Sequence, residues 1–373
     1  MNKHIFQRIL LPGFLFQSVI MGGGYATGRE LVEFFLHLGP RGGLLSMAVA
    51  TLSFSLITAI SFELARMTMS YTYRSFFTHL LGPGQILYEL AYYLLGLLVI
   101  AVIGSAAGEI ALRQAGIPAA YGTAILVALI GFLVFFGTSL IERVLAGWSF
   151  LLYVTYAVFV VLYLAKFSSD LSTNLAEPVD GAWVVSGVRY VGFNLATIPI
   201  ILFCVAHMQS RRDALLAGVF AGPLAMIPAF LLFLPMIASY PEILTAAVPS
   251  DFMIQRLDEN WMAIIFYLVL FGTFVETGTA YIHALNERIA ESYREKGKLM
   301  PPWLRAGIAV AVLIASVVLA TQFGLIRLIA DGYGTLTWCF ILVFAAPLLT
   351  RGVWMIFFSS TKNAITLAES IKG

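Results

Sequence analysis

The chain has 373 residues, 60% hydrophobic and only 11% charged, with a mean hydropathy of +0.91. A soluble domain cannot bury so much apolar side chain, so the composition excludes one and marks an integral membrane protein. A net charge of +2, with no basic tract interleaved with aromatics, argues against a nucleic-acid partner.

A helix needs about 20 apolar residues to cross the hydrocarbon core. Ten runs qualify: 5–38 (interrupted), 43–66, 84–112, 120–138, 141–166, 183–210 (interrupted), 213–238, 260–287, 303–322 and 325–349. The first is too long for a cleavable signal and lacks a small-residue cleavage site after it. An even count puts both termini on one side. Fifteen lysines and arginines, among them Arg8, Arg66, Arg211, Arg294 and Arg351, fall on that side, against seven on the other, which makes it cytoplasmic by the positive-inside rule. The expected environment is therefore a cytoplasmic membrane crossed many times, with lipid as the surrounding partner and a monomer or weak homo-oligomer as the assembly.

The first run meets three glycines in "QSVIMGGGYATGRE" (Gln17 to Glu30). Backbone polar groups inside a bilayer must be satisfied internally, so a break is tolerated only where it lines a protein-enclosed cavity. Gly22, Gly23, Gly24 and Gly28 would each weaken a helix by about 1 kcal/mol relative to alanine. A break there would expose amides suited to a carboxylate and carbonyls suited to a cation. The other reading of the same glycines is close helix packing.

A second copy favours the break. "TGRELVEFFLHLGP" (Thr27 to Pro40) and "SRRDALLAGVFAGP" (Ser210 to Pro223) match at an offset of 183 in Thr/Ser, Arg, Glu/Asp, Gly and Pro. The offset carries the first run to the sixth. Five runs is an odd number, so the second copy sits upside down, as in the inverted repeats of secondary transporters. The sequence divides accordingly into 1–182, 183–350 and a cytoplasmic tail 351–373. In the sixth run, "GFNLATIP" (Gly192 to Pro199) supplies Asn194, Thr197 and a proline without an N–H, which predicts a second mid-membrane break; a simple kink at Pro199 is the alternative.

In the eighth run, Glu276 is a carboxyl near mid-membrane, flanked by Thr273 and Thr277. A buried ionisable group there is a functional candidate by default. It serves as proton carrier, as cation ligand, or as a hydrogen-bonded packing acid. Tyr92 and Tyr93 of the third run offer a polar-tipped wall, and Gln17 lies five residues before the first of the three glycines, placed to meet substrate or to cap the break. Glu30, Glu33 and Asp331 read as solvated residues near the membrane edges.

Cys204 and Cys339 lie in apolar runs and point to packing. The five histidines have no metal-ligand spacing, and no nucleophile elbow, phosphate-binding glycine loop or HExxH stretch occurs, so an enzyme is not expected.

"GGGYATGRE", "FGTFVETGTAYIHALNERI" and the five-plus-five plan resemble the YkvI-type family of bacterial membrane proteins, in the amino acid, polyamine and organocation superfamily with LeuT-type architecture. The resemblance implies an all-α fold of ten helices in a 5+5 inverted repeat, with helices 1 and 6 broken at mid-membrane around a small solute. It further implies a sodium site at the carbonyls of Ser18 and Met21 and the oxygens of Thr273 and Thr277, and an outer-gate role for Arg29. No motif of the eighth run reproduces the paired hydroxyls of sodium-coupled members, so sodium and proton coupling both stay open.

The expected substrate site is Gln17, Gly22, Gly23, Gly24, Tyr25, Tyr92, Asn194 and Thr197, and the expected coupling site Ser18, Met21, Thr273, Glu276 and Thr277. No cofactor is expected beyond a sodium ion. The reading is a secondary transporter for a small zwitterionic or amine-bearing solute, an amino acid first, working by alternating access. A membrane receptor subunit that binds an amino acid without moving it is the alternative.

Overall fold

The computed structural model describes residues 6–136, 139–179 and 181–358, and every regular element among them is helical. Among the described residues, seven helical runs are long and apolar enough to cross a membrane: Arg29–Met67, Tyr73–Ala115, Leu151–Asn174, Trp183–His207, Arg211–Ala238, Asn260–Arg294 and Pro302–Phe358. Two shorter apolar helices, Phe6–Ile20 and Ala119–Phe135, join them. The last run continues to Phe358, beyond the boundary at 350 expected from sequence; 359–373 of the expected tail lie outside the described residues.

The glycine stretch interrupts the first helix twice. A π-helical turn, Phe6–Leu10, leads into α1 (Leu11–Ile20), after which Met21 (ψ 60°) and the extended Gly22 (ψ −177°) leave helical geometry. A single turn, α2 (Gly23–Ala26), follows, and then Gly28 at φ 75° opens α3 (Arg29–Phe34). A Cβ at Gly28 would lie 2.4 Å from Met236 Cε and 3.3 Å from Pro249 Cβ. Gly28→Ala should therefore combine left-handed strain of about 1–2 kcal/mol with a steric shift. The expected result is a lower melting temperature in detergent, and an unchanged one would show that the turn relaxes freely.

The next helices are α4 (Gly39–Met67), α5 (Tyr73–Leu81), α6 (Gln85–Ala115), α7 (Ala119–Phe136) and α8 (Ser139–Asn174). Thr72 starts α5 with a reciprocal capping box to Ser75, and Gly116 in the left-handed region ends α6. They are followed by α9 (Trp183–Asn194), α10 (Arg211–Ala238), α11 (Pro249–Leu257), α12 (Asn260–Glu295), α13 (Pro302–Arg327) and α14 (Gly334–Phe340). Gly324, at φ 69° and ψ 167°, interrupts α13.

α4 and α10 pack antiparallel, because small residues let their backbones meet. Gly218 faces Ala59, Gly222 faces Thr51 and Ser55, and Gly43 faces Phe233. The Thr58 hydroxyl donates to Gly218 O at 2.8 Å, and that of Ser55 to Val219 O at 2.8 Å. Close approach and interhelical hydroxyl bonds are the usual substitute for hydrophobic driving force between helices in lipid.

Two sequence expectations change here. The matched segments fall on unlike positions: Pro40 sits in the first turn of α4, whereas Pro223 lies inside α10, and Ser210 caps α10 while Thr27 occupies the turn between α2 and α3. Past Asn194 the chain tightens instead of unwinding, running as a 3-10 helix from Leu195 to His207 with Pro199 inside it. Proline cannot supply the amide that an i to i−3 ladder would aim at Ala196 O. The Tyr88 hydroxyl donates to that carbonyl instead, at 3.2 Å.

Candidate functional site

The interruption between α1 and α2 faces a cavity of about 290 Å³, walled by residues of α1 to α3, α6, α8, α9, the 3-10 segment, α12 and Tyr333. The break determines what that wall offers. In a continuous helix the amides of Gly22 and Gly23 would serve the carbonyls of Ser18 and Val19. Gly22 N–H donates to Ile20 O at 2.8 Å and Gly23 N–H to Thr277 Oγ1 at 2.8 Å, so both carbonyls are released. Thr277 thereby clips α12 to the broken helix.

The hydroxyl of Ser18 donates to Leu15 O at 2.9 Å and that of Thr197 to Asn194 O at 2.6 Å, leaving both oxygens as acceptors. Among the described residues two carboxyls line the cavity, Glu30 and Glu276, and no lysine, arginine or histidine does. Glu30 is buried, 5% exposed, and its Oε1 would lie 2.3 Å from a Cβ at Gly24. The third glycine of the triplet thus makes room for this carboxylate.

No family model matches the chain. It is 24% identical over 332 residues to the uncharacterized membrane protein YkvI of Bacillus subtilis (strain 168), covering 86% of this chain and 89% of YkvI. A substrate-bound, outward-open Na+-coupled sialic acid symporter superposes with a TM-score of 0.51 at 13% identity, over 91% of this chain and 84% of that one. The inward-facing structure of Mhp1 gives 0.50 at 16% identity, over 91% and 74%. The chain is similar to YkvI and has a LeuT-type fold. At these identities the two solved structures speak for the fold alone.

Most residues singled out from the sequence converge on the one cavity: Ser18, Met21, Gly22, Gly23, Gly24, Tyr25, Tyr92, Asn194, Thr197, Glu276 and Thr277 all line it. Three do not. Gln17 is buried outside the cavity wall, one residue from Ser18 and hence about 100° round the helix. Thr273 lies off the wall, its hydroxyl donating to Val269 O at 2.9 Å. Arg29 points away from the cavity to the side opposite the N-terminus, where it donates to Leu244 O at 2.9 Å, to Ala246 O at 3.1 Å and to Glu33 Oε2 at 3.2 Å.

Glu30, read from sequence as a solvated residue of the outer mouth, forms part of the wall; Glu33 is the one that pairs with Arg29. Tyr281, Tyr333, Phe193 and Tyr153 also line the cavity without having been singled out. Thr277, Ala280, Tyr281 and Ala284 share one helical face at spacings of three and four, a stripe that would have pointed to Tyr281. No comparable signal marks Tyr333, which arrives from a π-helical turn of Leu328–Tyr333.

The two ends of the site differ. On the side opposite the N-terminus, α2 and α3 are bolted down: besides Arg29, Ser250 N–H donates to Thr27 O at 2.9 Å and the Tyr156 hydroxyl to Ala26 O at 2.9 Å. The more exposed wall residues, Ser18, Ile200 and Ala280, lie before the first break, within the 3-10 segment and on α12. Beyond them Arg288 is held between the rings of Tyr73 and Tyr92, 3.7 and 3.6 Å from their centroids, so Tyr92 borders both the cavity and a buried cation.

Proposed function

We propose that the protein is a secondary transporter for a small zwitterionic or amine-bearing solute, an amino acid being the first candidate, working by alternating access in the cytoplasmic membrane with both termini inside. Two shorter apolar helices and the interruption at Gly324, taken with the seven longer runs, support ten spans in two inverted halves, 1–182 and 183–350. The observation that carries the proposal is the interrupted first helix facing a closed-sided cavity. Broken helices at a central site are the way such proteins place backbone polar groups on a solute inside the membrane. The LeuT-type fold, shared with a Na+-coupled symporter, supports the same reading.

Glu276 is the coupling candidate. With Thr277 and the released carbonyl of Ser18, both wall residues, it would help to hold sodium; alone, it would carry a proton. Glu276→Gln keeps the shape and removes the charge. In proteoliposomes it should reduce gradient-driven accumulation to the level seen without a gradient, while leaving solute exchange. A wild-type melting temperature that rises with sodium, and no longer does so in the variant, identifies a sodium ligand; dependence on pH with no cation preference identifies a proton carrier. Normal accumulation by the variant under every gradient would reduce Glu276 to a packing residue. Saturable binding of amino acids with no flux under any gradient would favour the receptor reading over transport.

A further inference from the structure

We propose that Glu30 is the anchor for the ammonium group of a net-cationic organic amine, and that the cavity takes such an amine in preference to a net-neutral amino acid. This rests on the reading of the cavity as a solute site and goes further by naming the solute's charge. Glu30 is nine-tenths or more buried, faces the cavity, and makes no hydrogen bond or ion pair with any described residue. A carboxylate kept out of water without a partner is costly, and an incoming cation removes that cost.

The surroundings fit an ammonium. Gly24 has no side chain to keep Oε1 from the centre of the broken helix. Phe193 and Tyr333 stack with ring centroids 4.7 Å apart on the same wall and offer aromatic faces to a cation. The released carbonyls of Ser18 and Val19 and the acceptor oxygens of Ser18 and Thr197 match the N–H donors of an amine. A carboxylate entering the same space would meet Glu30 and Glu276 as like charges. Its donors would all be neutral, the hydroxyls of Tyr25, Tyr92, Tyr153, Tyr281 and Tyr333, the Asn194 amide and the amides of a single turn, of which Gly23 is already given to Thr277, so none would offset that repulsion with a positive charge.

The test uses the purified full-length protein, with binding read by calorimetry and thermal shift for 1,4-diaminobutane, n-butylamine, L-leucine and sodium chloride. The two amines should bind more tightly than leucine. Glu30→Gln should weaken them by about thirtyfold or more, the loss expected when one member of a buried charge-assisted pair is neutralised. Glu30→Asp, which keeps the charge on a shorter arm, should fall between, and so separates loss of charge from misfolding. Gly24→Ala should also weaken amines, because its Cβ displaces the carboxylate.

Leucine bound as tightly as the amines, amines that fail to bind the wild type, or amine binding indifferent to Glu30→Gln would each overturn the proposal. Sodium stabilisation that depends on Glu30 would overturn it in favour of an ion site. Uptake separates the two levels. Amino-acid flux unchanged by Glu30→Gln removes the Glu30 anchor and leaves transport standing. Glu30-dependent amine binding without flux removes transport and leaves the anchor.

Discussion

Replacing Gly23 by leucine should lower the melting temperature by several degrees and abolish ligand binding in the same protein. From sequence alone the glycines read as cavity-lining, which predicts lost binding with stability intact. The structure alters that expectation. A Cβ at Gly23 would stand 2.5 Å from Ile103 Cγ2 and 3.0 Å from Phe274 Cδ1, so the residue is also the contact by which the broken helix seats on α6 and α12. Overpacking of this kind costs about 1–3 kcal/mol, and moving the turn would break the Gly23 bond to Thr277 Oγ1. Gly22 differs. Its φ of −85° and ψ of −177° suit any residue, and a Cβ there meets Thr277 only at 3.5 Å. Gly22→Ala should change stability by no more than about 0.5 kcal/mol. Thermal melts of the two variants in detergent decide the matter, and a Gly23→Leu protein as stable as wild type would show that the turn is not seated by packing.

What the sequence revealed and what it hid have physical causes. Apolar runs are long-range averages, and they marked the helical segments well because lipid leaves few alternatives. The first break was legible because three consecutive glycines act locally on backbone preference. Glu30 was not. It follows Arg29 by one residue, and neighbours on a helix point about 100° apart, so the arginine reaches Leu244 and Ala246 while the glutamate turns into the cavity. The left-handed Gly28 sets that rotation, and no pattern of polarity in "ATGRE" records it. At Pro199 the sequence identified the disturbance and not its form. A missing amide permits either an unwound stretch or a tightened helix, and the outcome depends on Tyr88, over a hundred positions away, supplying a hydrogen bond to Ala196 O.

Replacing Arg29 by methionine should open the side of the cavity that the structure shows closed. Arg29, 6% exposed, gives hydrogen bonds from its guanidinium to two carbonyls of the segment after α10 and to Glu33, and so ties α3 to that segment. Methionine fills similar space without a donor, leaving both carbonyls unpaired in the closed form and free to meet water in an open one. Hydrogen bonds from a charged donor are worth about 1.5–3 kcal/mol each, and 1.4 kcal/mol shifts an equilibrium tenfold. The closed-to-open ratio should therefore fall by at least about tenfold. With Cys204 and Cys339 replaced by serine, a cysteine at Ala246, buried here, should react correspondingly faster with an impermeant maleimide added from that side. Lys166→Met serves as control, because Lys166 donates to Leu257 O on the same side without touching α3. Local loosening would also speed labelling, so the reciprocal site decides. Ser18 is exposed before the first break, and if opening one side closes the other, a cysteine there should become slower to label in the same Arg29→Met protein. Faster labelling at 246 with an unchanged rate at 18 would mean that Arg29 holds down a loop; opposite changes at the two positions would make it the bolt of an alternating-access gate.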